Sequence, residues 1–172
     1  MPASILKGKS ILAVDDEEDI LEILAEELEE YKVDYDSASS FEEALDKLAS
    51  YRYDLVILDI MGVRGFDLLQ TAVSRKMPVV MLTAHALSPE ALKKSIELGA
   101  RAYLPKDQIV KMIPFLEDLL MLSYQSTWKS ALSRLGGVFG AQFGQEWRKT
   151  EKEFWEKFER DLEITESTII ET

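Results

Sequence analysis

The sequence predicts an α/β fold, a five-stranded parallel sheet that is doubly wound, followed by an α-helical segment. Three observations predict it. Short apolar runs alternate with amphipathic stretches across residues 1–122. The runs Ile11–Val14, Leu55–Leu58 and Val79–Leu82 are apolar without alternation, as strands covered on both faces of a parallel sheet are. Turn and cap residues stand between the runs where the chain has to change direction.

The elements follow in order. Ser10–Val14 is the first strand, and Ile20, Leu21, Ile23, Leu24 and Leu28 trace the helix after it. Val33–Ser37 is the second. Ser39-Ser40 before Phe41-Glu42-Glu43 supplies a helix N-cap with acids in the first turn, and Ala44, Leu45 and Leu48 continue the apolar stripe from Phe41. Asp54–Leu58 is the third strand, followed by Phe66, Leu68, Leu69 and Val73 at helical spacing. Pro78 precedes the fourth strand, Val79–Thr83. Ser88-Pro89-Glu90 reads as an N-cap with proline at the first helical position, Ala91, Leu92, Ser95, Ile96 and Leu98 mark the buried side, and Gly99 is a C-cap. Ala102–Leu104 is the fifth strand. Pro114 breaks a helix interior, so a short turn over Gln108–Met112 and a helix from about Pro114 are expected.

The chain is expected to divide into domain 1–122 and a C-terminal helical extension, 123–172. Residues 127–163 hold all three tryptophans and four of the seven phenylalanines. Trp147, Phe154, Phe158 and Leu162 recur at helical spacing, with Trp155 offset. Gly136, Gly137, Gly140 and Gly144 suggest two helices broken near Gly136–Gly140. Such an aromatic stripe is too large to leave in water. It must fold back on the first domain or meet a partner. The acidic surface of residues 1–122 favours a homodimer through residues 127–163. Ile164–Thr172 is expected to be a frayed tail.

Composition closes several routes. With no cysteine there is no disulfide, thiolate metal site or cysteine nucleophile, and the one histidine, His85, leaves no multi-histidine metal site. No apolar run approaches the ~18–20 residues of a membrane span, and Met1-Pro2-Ala3-Ser4 begins no signal peptide, so a cytoplasmic location is expected. Residues 1–122 carry 13 basic and 23 acidic side chains, and residues 123–172 carry 7 and 9. Neither part has the basic face that binding to a phosphate backbone requires, so nucleic acid is not an expected partner.

Open α/β sheets bind ligands beyond the carboxyl ends of their strands. There the first strand delivers Asp15, Asp16 and then Glu17, the third Asp59, the fourth Thr83, and the fifth Lys106. Three carboxylates crowded together suit a hard divalent cation such as Mg2+. Lys106 can meet a phosphoryl oxygen as a point charge and Thr83 can bond another, while an aspartate beside magnesium is a nucleophile towards phosphorus.

These motifs resemble the receiver domain of two-component response regulators. The segments that carry the resemblance are Ile11-Leu12-Ala13-Val14-Asp15-Asp16-Glu17, Asp54-Leu55-Val56-Ile57-Leu58-Asp59, Met81-Leu82-Thr83-Ala84 and Gly99-Ala100-Arg101-Ala102-Tyr103-Leu104-Pro105-Lys106. The resemblance, over roughly residues 8–122, implies that Asp59 accepts a phosphoryl group from a sensor histidine kinase or phosphotransfer protein. It implies magnesium held by Asp15, through water, and by Asp16, Asp59 and the Met61 backbone carbonyl. Thr83 and Lys106 would contact the phosphoryl group, and Tyr103 would be the aromatic switch coupled to Thr83. His85 and Met61 stand where the family tunes hydrolysis. Such a chain is not an enzyme in its own right but a phosphoacceptor that assists its own phosphotransfer and dephosphorylation. It would signal through protein contacts.

This chain departs from the family in two places. The loop after Asp59 is two residues shorter, with Gly62 where proline is usual and Gly65 six residues on. Proline precedes Lys106 rather than following it, so a trans bond is expected at Lys106–Asp107. Two other readings are a receiver with a nucleic-acid-binding helical output and a magnesium-dependent phosphatase of the haloacid dehalogenase type. The latter needs a second aspartate where this chain has Met61.

Overall fold

A computed structural model describes residues 5–84, 89–121, 152–158 and 160. The strands are β1 (Ser10–Val14), β2 (Asp34–Ala38), β3 (Leu55–Asp59), β4 (Val79–Thr83) and β5 (Ala102–Pro105). The helices are α1 (Glu18–Glu29), α2 (Phe41–Ser50), α3 (Gly65–Ser74), α4 (Pro89–Glu97) and α5 (Ile113–Met121), with a 3₁₀ turn over Lys106–Lys111. All pairings are parallel and the order is β2-β1-β3-β4-β5. The fold is therefore the expected five-stranded parallel sheet with flanking helices.

The local chemistry acts where the sequence places it. Ser40 Oγ accepts from the Glu43 amide at 3.2 Å and caps α2. Gly99 takes φ +97°, and the Gly99 and Ala100 amides donate to Ile96 and Ser95, which closes α4. Pro114 falls in the first turn of α5, where no intrahelical N–H is needed. No peptide bond among the described residues is cis, as expected for Lys106–Asp107. Ser88 and His85 lie outside the described residues.

Several boundaries differ from the expected ones: β2 and β3 both begin and end one residue later, and β5 runs on to Pro105. β2 begins at Asp34, not Val33, because Lys32 turns through φ +57° and the Asp34 amide bonds Lys9 O, just before β1, to open the ladder. β3 runs from Leu55 to Asp59. Asp54 instead ties down its start, with Oδ2 accepting from the Ser10 amide at 2.9 Å. The 3₁₀ turn begins at Lys106, not Gln108, directly from the end of β5.

β1, β3 and β4 are buried almost throughout. The two edges differ: β2 is largely half-exposed, whereas every residue of β5 is buried. Residues 152–158 are helical. Trp155 is 3% exposed and belongs to the main core, with Phe154 and Phe158 packed against it. The described part of the aromatic segment thus packs on its own chain. The offset tryptophan is the buried residue, while the Phe154/Phe158 side is only half-covered. Trp147, Leu162, the glycine cluster and the rest of 127–163 lie outside the described residues.

Candidate functional site

Every β-strand carries its last residues to the same rim. Asp15 follows β1 at no exposure, Asp59 ends β3 at 5% and Thr83 ends β4 at 1%. Asp16 stands exposed beside them. Carboxylate oxygens of Asp15, Asp16 and Asp59 all lie within 4.8 Å of one another.

Lys106, which follows β5, reaches across this rim. Its Nζ lies 2.9 Å from Asp15 Oδ2, 3.2 Å from Asp59 Oδ1 and 3.8 Å from Glu17 Oε2. Burial alone would lower the Lys106 pKa, but Asp15 and Asp59 together hold it above its ordinary value. Burial pushes the Asp15 carboxyl up to about 6, although the Glu17 amide and Lys106 pull it down. Asp15 Oδ1 accepts from Glu17 N at 2.9 Å, which also turns the chain into α1. Asp15 Oδ2 is at ion-pair distance from Lys106 but has no aligned hydrogen-bond donor. A buried carboxylate oxygen left short of a donor, with two further carboxylates beside it, fits a hard divalent cation.

The loop after Asp59 is shaped by two glycines. Gly62 N donates to Asp59 Oδ2 at 3.0 Å. The Asp16 carboxylate lies so close over Gly62 that a Cβ there would collide with it. Gly65 N bonds Ile60 O at 3.0 Å, and a Cβ at Gly65 would strike the Asp59 carbonyl and come within 2.8 Å of Ile60 Cα. Between them Arg64 takes φ +54° and lays its guanidinium 4.1 Å from the centre of the Phe41 ring. The shorter loop thus closes by pressing α3 onto the end of β3. The Met61 side chain is 73% exposed.

On the far side of the rim, Tyr103 OH donates to Thr83 Oγ1 at 3.3 Å, and Thr83 Oγ1 donates to Ala84 O at 3.0 Å. Tyr103 is fully buried, which raises its pKa to about 12.

The structure thus brings Asp15, Asp16, Asp59 and Lys106 together and sets Thr83 against Tyr103. Sequence reasoning recorded Gly62 only as a departure from pattern and did not find its contact with Asp16. The signal was a glycine at a position with no turn requirement of its own.

Residues 11–114 match the response regulator receiver domain family. The chain belongs to this family. It is 38% identical over 105 residues to the alkaline phosphatase synthesis transcriptional regulatory protein PhoP of Bacillus subtilis, covering 58% of this chain and 42% of that one. It is 32% identical over 131 residues to the heme response regulator HssR of Staphylococcus haemolyticus, covering 74% of this chain and 57% of the relative. The chain therefore spans about half the length of these relatives or less. A CheY-like receiver domain protein from Methanospirillum hungatei has a similar crystal structure, with a TM-score of 0.58, 27% identity and coverage of 67% of this chain and 98% of that one. A response regulator structure from Chloroflexus aurantiacus matches with a TM-score of 0.60 and 27% identity, over 67% of this chain and all of the other. Among the described residues no helix is long and apolar enough to cross a membrane.

Proposed function

We propose that Asp59 accepts a phosphoryl group from the phosphohistidine of a sensor histidine kinase or phosphotransfer protein, in the cytoplasm. A carboxylate oxygen of Asp59 attacks phosphorus, the N–P bond to the donor histidine breaks, and that nitrogen leaves with the bond's electron pair. Asp15, Asp16, Asp59 and the Met61 backbone carbonyl would hold Mg2+, which neutralises charge on the transferred group. Lys106 Nζ, paired with Asp59 Oδ1, would take up a phosphoryl oxygen as a point charge. The Thr83 hydroxyl takes another, and Tyr103 follows Thr83 through their shared hydrogen bond.

The observation that carries this reading is the reach of Lys106 from the end of β5 to both Asp15 and Asp59. Neither the phosphatase nor the nucleic-acid reading has such an observation. The chain is a phosphoacceptor that assists its own transfer and hydrolysis, and it signals through protein contacts. Against the homodimer expected through residues 127–163, the burial of Trp155 favours intrachain docking of residues 152–158.

Incubation with acetyl phosphate and magnesium should add one phosphoryl group by intact mass. Asp59→Asn should abolish it, and equal labelling of Asp59→Asn would overturn the assignment. A phosphomonoester should not be turned over.

A further inference from the structure

We propose that the α4 side of the molecule is a docking surface for an aromatic amphipathic helix, that residues 152–158 of the same chain occupy it, and that a protein partner using this surface must displace them. Four observations point there. Trp155 is 3% exposed and is part of the receiver's own core. Lys93 of α4 sets its ammonium 5.1 Å from the centre of the Phe154 ring. Its neighbour Lys94 does the same for Phe66 of α3 at 4.5 Å, so α4 offers a cation to two aromatic neighbours. Finally, β5, against which α4 packs, is an edge strand with every residue buried.

The occupant has the matching chemistry. Phe154 and Trp155 meet edge to face at 4.9 Å, Trp155 and Phe158 likewise at 6.2 Å, and Phe154 stacks with Phe158 at 6.1 Å. The three rings form one unit on one side of the helix. Lys152, Glu153, Glu156 and Lys157 are exposed on the other. A helix with this division draws its order mainly from the surface that takes its apolar face. A competing partner is therefore a protein helix with aromatic residues in the spacing of Phe154, Trp155 and Phe158. This inference does not rest on phosphorylation of Asp59.

The full chain carries its own probe. With Trp128→Phe and Trp147→Phe, Trp155 is the sole indole. Its emission should be blue-shifted and its quenching by iodide several-fold weaker than that of free tryptophan, with no change on dilution from micromolar to nanomolar. Free quenching would overturn the docking. Shielding lost on dilution would overturn intrachain occupancy and make a second copy the occupant. A peptide of residues 147–163 should bind full-length Trp155→Ala at least tenfold tighter than the parent, because the surface is vacated. Phe154→Ala, which removes only a half-buried ring, should shift binding in the same direction by less. Equal peptide binding to parent and both variants would overturn the proposal.

Discussion

The two edges of the sheet solve one problem in opposite ways. An edge strand presents unpaired backbone groups and invites another strand. At β2 the protection is polar. Asp34 is exposed, Tyr35 OH donates to Leu21 O at 2.8 Å, and Asp36 accepts from Lys47 at 2.6 Å and from Tyr53 OH at 2.8 Å. Lys47 donates also to Ser37 O at 2.8 Å, so α2 is tied to the edge by its own cation. β5 carries no charge at all. It reads Ala-Tyr-Leu-Pro, is buried throughout, and its tyrosine hydroxyl meets Thr83. One edge is defended by charge and the other by cover. The covered edge is the one that leads into Lys106 and the acidic rim.

Removing the Trp155 ring from the core should cost most. Trp155→Ala should lower stability in urea by about 2–3 kcal/mol, below the usual loss for a core tryptophan because undocking the helix limits it. Tyr51, 60% exposed near the β2 edge, is the control, and Tyr51→Ala should cost under ~0.5 kcal/mol. Equal losses would mean that Trp155 adds nothing to the core.

At the rim between the edges, Gly62→Ala should push the Asp16 carboxylate aside. Magnesium affinity, followed by calorimetry, should fall at least about tenfold, or about 1.4 kcal/mol. The fold should survive, because Asp16 is exposed and can swing into water.

The polar edge should show its character through pH. Partial burial raises the Asp36 pKa, but Lys47, Tyr53 and the Ser37 amide outweigh it and hold it below 3.8. A depressed carboxyl pKa contributes stability above the unfolded value and loses it as pH falls through the folded one. Asp36→Asn should therefore cost about 1 kcal/mol at neutral pH, after allowance for screening at this part-exposed pair. The gap between variant and parent should close below about pH 3.8. A gap independent of pH would mean packing, not charge, holds the β2 edge. The smallest effect belongs to β5: Tyr103→Phe removes one long hydrogen bond and should cost about 0.5–1 kcal/mol in urea.

Most of the fold could be read from the chain because its strong signals are local. The apolar runs of β1, β3 and β4 have no alternation, and Ser40 and Gly99 end their elements through bonds to residues three or four away. Asp15, Asp16, Asp59, Thr83 and Lys106 were legible at the rim for a similar reason, since each ends or follows a strand. What was not legible depends on distant residues meeting. The glycine at 62 has meaning only because Asp16 arrives above it from another strand. Helical spacing picked out the Phe154/Phe158 stripe. Which side of that helix is buried is decided by the core it meets, and the helix takes Trp155 inwards. The start of β2 was misplaced by one residue because the left-handed turn at Lys32 leaves no mark in hydropathy.

The cover over the α4 side comes from residues far later in the chain than the surface it protects. Ribosomes extend a chain at about 5–20 residues per second, so β5 emerges several seconds ahead of Trp155. For that interval the nascent receiver lacks one buried ring of its core. A ribosome stalled short of Trp155 would hold a sheet with its acidic rim assembled and its core short of the Trp155 ring.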